Sequence, residues 1–160
     1  MYFRIKPFIC ITADFRHQSP EINAVDYNYE DIEKWNGIVS EVFPKLKDNV
    51  LVFGYDWLGR QFALDKEANN ILMLEIGTGD ALRDPVSFEV FHNEEITEKY
   101  EDFLAAGFFE DWKAINNYVP KHNECIGYKV PLFLGGEDDT DNLEICDMEV
   151  YWGVVRQLLH

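Results

Sequence analysis

A helical pattern of apolar residues marks the first third of the chain. Between residues 29 and 43 the apolar positions recur at spacings of three and four, as one buried helix face requires; they are Ile32, Trp35, Val39, Val42 and Phe43. Asn28 stands where an N-cap belongs, and Pro44 stands where a helix must stop. The pattern predicts an amphipathic helix over residues 29–43.

Three short segments rich in β-branched and aromatic residues follow this helix. They are Val50–Tyr55, Gln61–Asp65 and Ile71–Ile76. Stretches that contain Gly, Asn and Asp separate them, and these residues tolerate the backbone of tight turns. The segments therefore predict a three-stranded antiparallel meander.

The second half of the chain mixes predicted loops with predicted helices. We expect a loop at Gly77–Pro85, a candidate fourth strand at Ser87–Phe91, helices over 93–107 and 108–119, and a loop or edge strand at Lys129–Leu134. A closing helix over 148–159 is predicted from apolar residues at helical spacing, which are Met148, Tyr151, Val154, Val155 and Leu158.

Strands grouped together and helices grouped together are typical of an α+β fold. We expect an antiparallel sheet, made of the meander plus additional strands, packed with about four helices in a single domain over residues 1–160. The three cysteines, Cys10, Cys125 and Cys146, show no CxxC spacing, which predicts reduced thiols and no structural zinc. No apolar run approaches the roughly 18 residues of a membrane span, so we expect a cytoplasmic protein.

The net charge of the chain is strongly negative, at −16. Such a surface repels phosphate backbones and anionic lipid headgroups, which argues against nucleic-acid and membrane partners. The densest acidic stretch has no Lys or Arg between Val130 and Val155; its members are Glu137, Asp138, Asp139, Asp141, Glu144, Asp147 and Glu149. It is either a solvated surface or a docking face for a basic partner.

Motifs for catalysis or cofactor binding are weak in this sequence. Gly77-Thr78-Gly79 follows a predicted strand, but Leu82 occupies the third glycine position of a dinucleotide loop. Glu137, Asp139 and Asp141 have the spacing of calcium ligands, yet Asn142 stands where the calcium loop needs Gly. We therefore expect no cofactor, no metal site and no enzymatic activity.

One pair and one aromatic residue keep further alternatives open. His122 and Cys125 lie three residues apart and would form a base and a nucleophile only beside an orienting acid. Most aromatic residues fall on predicted inward faces, where they build the core or line a pocket for a small molecule. Trp57 lies in a predicted hairpin turn, so we expect it to be exposed and to anchor an interface.

The C-terminal third carries a family resemblance. Glu124-Cys125-Ile126-Gly127, then Pro131 to Gly136, then Asn142-Leu143-Glu144 and a helix with Tyr151 and Gln157-Leu158 resemble the C-terminal domain of Tdi-type immunity proteins of type VI secretion systems. These proteins are described as GAD-related and are similar in organisation to the SUKH group. The resemblance divides the chain into an N-terminal segment, 1–45, with the first helix, and a family-like region, 46–160.

The resemblance implies a non-catalytic immunity or antitoxin protein of the cytoplasm that binds and neutralises a cognate bacterial toxin, in relatives often a nuclease. A basic toxin would be drawn to the acidic surface of this chain. The expected partner-binding residues are Trp57, Glu137, Asp138, Asp139, Asp141 and Glu144. The alternative is a small-molecule or regulatory binding module with an aromatic pocket.

Overall fold

A five-stranded antiparallel sheet organises the computed structural model, which describes residues 24–159. Its strands lie in chain order: β1 (Ala24–Asp26), β2 (Val50–Asp56), β3 (Gln61–Asp65), β4 (Asn70–Glu75) and β5 (Asp80–Asp84). A separate antiparallel pair joins β6 (Glu124–Tyr128) to β7 (Leu143–Asp147). Cys10 and the first part of the predicted N-terminal segment, 1–45, lie outside the described residues.

Five α-helices accompany the two sheets within the described residues. They are α1 (Tyr29–Val42), α2 (Phe88–Val90), α3 (Tyr100–Phe103), α4 (Ala106–Asn116) and α5 (Met148–Leu158). A π-turn over Phe91–Glu95 continues α2 directly. The prediction of an α+β fold, with an antiparallel meander plus additional strands in a single domain, is confirmed.

Alternate residues of the central strands enter two different cores. Leu72 and Leu74 point to the core beneath α1 and α5, whereas Ile71 packs with the aromatic residues of α2 and the π-turn. In β2 a register shift between Val52 and Gly54 adds one residue to the alternation, so Val52 and Tyr55 reach the same core. Both faces of the central strands are therefore covered.

The helices predicted over 29–43 and 148–159 are confirmed as α1 and α5, and α1 also has the predicted cap. The Asn28 side chain accepts a hydrogen bond from the Asp31 N–H at 2.9 Å, and α1 ends two residues before Pro44. The Asp147 side chain accepts from the Val150 N–H at 3.0 Å and begins α5. Both helices start at a residue that satisfies otherwise unpaired backbone donors.

Two predictions next to the meander are wrong. The predicted loop at Gly77–Pro85 contains β5, which pairs with β4 after a turn in which Gly79 has φ +78°. The predicted strand at Ser87–Phe91 is helical, because the Ser87 hydroxyl accepts from the Val90 N–H at 3.2 Å and caps α2. Serine at an N-cap outweighs the strand preference of the aromatic residues that follow it.

The helices predicted over 93–107 and 108–119 have different limits. The first is divided between the π-turn and α3, and Ala105, at φ +51°, separates α3 from α4. Asn117, also left-handed at φ +47°, ends α4 before Pro120. At Lys129–Leu134 the loop alternative is the correct one, since Leu132–Leu134 form a 3₁₀ turn, and the strand pair of β6 and β7 was not predicted.

Candidate functional site

Trp57 is buried, which contradicts the expectation that it is exposed in a hairpin turn. Its side chain is 2% exposed, and its indole N–H donates to the Leu104 carbonyl at 2.7 Å. The ring lies against Phe109 and Phe108, with centroid distances of 5.0 and 5.8 Å. The β2–β3 turn points into the molecule, where β6 and α4 cover it, so Trp57 supports the fold and presents no surface to a partner.

The same turn holds a buried ion pair between Asp56 and Arg60. The Arg60 Nε donates to Asp56 Oδ2 at 2.6 Å, and the backbone N–H groups of Leu58 and Arg60 both donate to Oδ1 at 3.1 Å. Burial raises the pKa of Asp56, and the Arg60 charge opposes that rise. Arg60 also donates to the Phe103 carbonyl at 3.1 Å, so the pair ties the turn to α3.

Gly59 brings this turn against the C-terminal region. Its backbone has φ +72°, and a Cβ there would lie 2.8 Å from the Cys125 sulfur. The Gly59 carbonyl accepts from the Trp152 indole N–H at 2.8 Å. A residue without a side chain is needed both for the backbone angle and for the close approach of β6.

The arrangement around Cys125 does not activate it as a nucleophile. The thiol is fully buried, and desolvation raises its pKa well above the ordinary value. His122, the candidate base for this thiol, has its Nε2 atom 3.7 Å from the Asp31 Oδ2 atom. A protonated, enclosed thiol is typical of a structural cysteine. Within residues 24–159 no group of three or more His, Cys, Asp or Glu residues is placed to hold a metal ion.

Aromatic residues offered as a pocket lining pack on one another. Phe62 and Phe91 have centroids 5.2 Å apart, and Phe53 and Phe91 5.6 Å apart, in edge-to-face contacts. All three are buried in the same core. They act as core residues, the first of the two alternatives that the sequence left open.

Four of the predicted acidic residues lie on one loop between the 3₁₀ turn at Leu132–Leu134 and β7. They are Glu137, Asp138, Asp139 and Asp141, all exposed, and Glu144 follows on β7. Two of the loop carboxylates have structural partners. Asp139 Oδ1 accepts from the Asp141 and Asn142 N–H groups at 3.0 and 3.1 Å, and Asp138 accepts from the Tyr128 hydroxyl at 2.8 Å.

Asn142 and Gly136 hold this loop in one shape. The Asn142 amide donates to the carbonyls of Val130 and Glu137 at 2.9 and 2.8 Å and accepts from the Val130 N–H at 3.0 Å. A Cβ at Gly136 would lie only 1.9 Å from the Val130 oxygen. The Asn142 side chain thus satisfies backbone groups on both sides of the loop.

Three carboxylates of the acidic stretch have no side-chain partner among the described residues: those of Glu137, Asp141 and Glu144. The nearest cation along the chain, Lys129, donates to the backbone carbonyl of Asp141 at 2.7 Å and not to its carboxylate. Trp57 does not join this surface, although it shares a buried cluster with Tyr128 and Leu143 beneath the loop. We refer to Glu137, Asp141 and Glu144 as the free acids.

Sequence reasoning did not single out the outward face of α5. Among the apolar residues of its helical pattern, Met148, Tyr151 and Val155 are buried, whereas Val154 and Leu158 are exposed. Val150, also exposed, lies one turn before Val154. The apolar spacing predicted the helix, but the apolar residues of this helix form two sets at helical spacing. Only the set with Met148, Tyr151 and Val155 faces the core.

Comparisons with known proteins agree with this fold and this region. A solved structure, described as "Crystal structure of Atu4351 from Agrobacterium tumefaciens", is similar with a TM-score of 0.57 and 14% sequence identity, over 91% of this chain and 74% of that one. At this identity the likeness shows the fold alone. No curated protein matches this chain significantly. No helix in the described part of the chain is long and apolar enough to cross a membrane.

The family comparison covers the acidic loop, the pair of β6 and β7, and α5. The matching family model is that of the type VI secretion (T6SS) immunity protein Tdi1, C-terminal, and the matched residues are 89–159. The match starts earlier in the chain than the motifs that carried the resemblance. The resemblance predicted from the sequence is confirmed, because residues 89–159 of this chain match the model of the C-terminal region of type VI secretion immunity proteins.

Proposed function

We propose that this protein neutralises a cognate toxin by binding it without chemistry, and that the free acids take part in the binding. The observation that supports this most directly is the position of the acidic loop inside the segment that matches the immunity family. The Cys125 thiol is buried and its pKa is raised, which disfavours a nucleophilic enzyme. The aromatic residues pack into a core, which disfavours a small-molecule receptor, so a protein-binding function is favoured.

Charge favours a basic partner. With a net charge of −16, the protein attracts basic surfaces over distances of about one Debye length, roughly 8 to 10 Å at ordinary ionic strength. A nuclease must hold a polyanionic substrate and therefore presents such a basic surface. A nuclease toxin whose substrate cleft is occluded by this protein is the partner that we propose.

The shape of the acidic loop supports binding with little loss of conformational entropy. Asp139 caps the turn that precedes β7, and Asn142 joins both sides of the loop. The free acids are thus presented on an ordered backbone. Binding through this loop therefore costs less conformational entropy than binding through a flexible loop would. Their carboxylates give up no internal partner when they form ion pairs across an interface.

Growth rescue tests the proposed function. The protein is co-expressed with the product of the adjacent upstream gene, and growth and co-purification are scored. We expect rescue and a stable complex. Toxicity that persists although both proteins are made, without any complex, would refute the proposal.

Charge reversal tests the contribution of the free acids. The triple variant Glu137→Lys, Asp141→Lys, Glu144→Lys is compared with a control of equal charge change, Glu33→Lys, Glu67→Lys, Glu98→Lys, whose positions are exposed and dispersed. We expect the first variant to lower the association rate at least tenfold and to reduce its salt dependence, because clustered charges steer encounter. Equal effects of the two variants would show that only net charge matters.

A further inference from the structure

The outward face of α5 carries three exposed apolar side chains in a row. Val150, Val154 and Leu158 follow one another at intervals of four residues and therefore share one side of the helix. Their exposed fractions are 61%, 53% and 49%. On the other helices of the described chain, the large apolar side chains with this much exposure, Tyr29 and Ile115, stand singly.

The helix beneath these side chains is firmly held. Its opposite face is buried in the core below the sheet through Met148, Tyr151, Trp152 and Val155. Lys34 of α1 pairs with Glu149 at 2.6 Å, and Arg156 pairs with Glu41 of α1. A contact face on such a fixed helix loses little freedom when a partner binds it.

Acidic residues adjoin this apolar face. Glu144 lies on β7, which leads directly into α5, and Asp147 caps the helix. An apolar centre with a polar rim is the usual composition of a protein–protein interface. A second copy of this chain, with its charge of −16, would place like charges against this rim, whereas a basic protein would place opposite charges there.

We propose that Val150, Val154 and Leu158 form the apolar contact surface for a basic protein, which is the cognate toxin if the function proposed above is correct. The free acids then control how fast the two proteins meet, and the α5 face controls how long the complex lasts. Buried apolar contact changes mainly the dissociation rate, and long-range charge changes mainly the association rate.

The double variant Val150→Gln, Val154→Gln tests this division of roles. Glutamine favours a helix more than valine does, so the melting temperature of the free protein should not fall. We expect the Kd for the toxin to rise at least tenfold through faster dissociation, because apolar groups are lost from a buried contact. The salt dependence of association should stay unchanged. The control Ile115→Gln, at a side chain that is 68% exposed on α4, should leave the Kd unchanged.

The possible outcomes separate this inference from the proposed function. Wild-type protein that neither binds nor protects overturns both. A toxin complex that the double variant forms as tightly as the wild type overturns the α5 contact only. A wild-type dimer in sedimentation that the variant abolishes assigns the face to a second copy, and a melting temperature lowered by the variant assigns it to this chain's own residues. Either result also overturns the inference.

Discussion

The buried ion pair in the β2–β3 turn makes the substitution Arg60→Met informative. Arg60 is 7% exposed and Asp56 is fully buried. The substitution removes the guanidinium that contacts Asp56 Oδ2 at 2.5 to 2.6 Å and also the donor to the Phe103 carbonyl. The two backbone N–H groups at Asp56 Oδ1 remain, so the carboxylate keeps half of its partners.

We expect this change to lower the free energy of unfolding by about 3 to 5 kcal/mol at neutral pH, because it leaves a buried charge without its counter-ion. That is a large share of the roughly 5 to 15 kcal/mol that stabilises a typical domain. Without Arg60, the pKa of Asp56 in the folded state rises further above its unfolded value. The folded state then retains a proton that the unfolded state releases, so stability falls as the pH rises above about 4.

Urea unfolding followed by tryptophan fluorescence measures this effect, since all four tryptophans are buried. The difference between variant and wild type should be largest near neutral pH and smaller in acid. Arg83→Met is the matched control: it removes an exposed pair with Asp65, whose atoms lie 2.8 Å apart, and should cost under about 1 kcal/mol. A loss at Arg60 no larger than at Arg83, or one that does not depend on pH, would refute the reasoning.

Two further predictions concern the contact between the turn and β6. Gly59→Ala should lower the melting temperature by several degrees, because the new Cβ meets the Cys125 sulfur at 2.8 Å and the backbone has φ +72°. The control Gly37→Ala lies in α1, where nothing lies within 4 Å of the new Cβ. This control should instead raise the free energy of unfolding by about 0.5 to 1 kcal/mol. Differential scanning calorimetry compares the two, and equal shifts would contradict the steric argument. Cys125 should resist alkylation at neutral pH until the protein unfolds, because burial keeps its pKa high and its thiol protonated. Peptide mass spectrometry measures this, and alkylated Cys125 in the folded protein would contradict the prediction.

Local signals predicted the helices at both ends of the described chain. The limits of α1 and α5 depend on an N-cap side chain, an apolar spacing and, for α1, a following proline, and each of these acts within a few residues. Ser87 is a signal of the same kind, because its side chain caps the start of α2 where a strand was predicted. The cap outweighs the strand preference of the aromatic residues that follow it.

Long-range pairing explains most of what the sequence did not reveal. β6 and β7 are separated by a loop in which the Asn142 side chain hydrogen-bonds to the backbone and Gly136 allows the close approach of Val130. No short hairpin motif in the sequence predicts this pair of strands. Trp57 has the surroundings of an exposed turn residue in the sequence. It is buried because β6 and α4 return to cover the turn, with the Ile126 N–H donating to the Trp57 carbonyl at 2.8 Å.

The sequence by itself determined the fold class, the helices α1 and α5, the negative charge and the family resemblance. Composition and charge are sums over the residues of the chain, and helical spacing and motifs involve residues close together in it. The tertiary structure alone decided which acids are free, whether Trp57 is exposed, and which apolar side chains of α5 face outward. Hydrogen-bond partners and burial depend on how separate segments pack together. The Tyr128 hydroxyl donates a hydrogen bond to the Asp138 carboxylate, and Tyr151 and Val155 are buried in the core whereas Val154 is exposed.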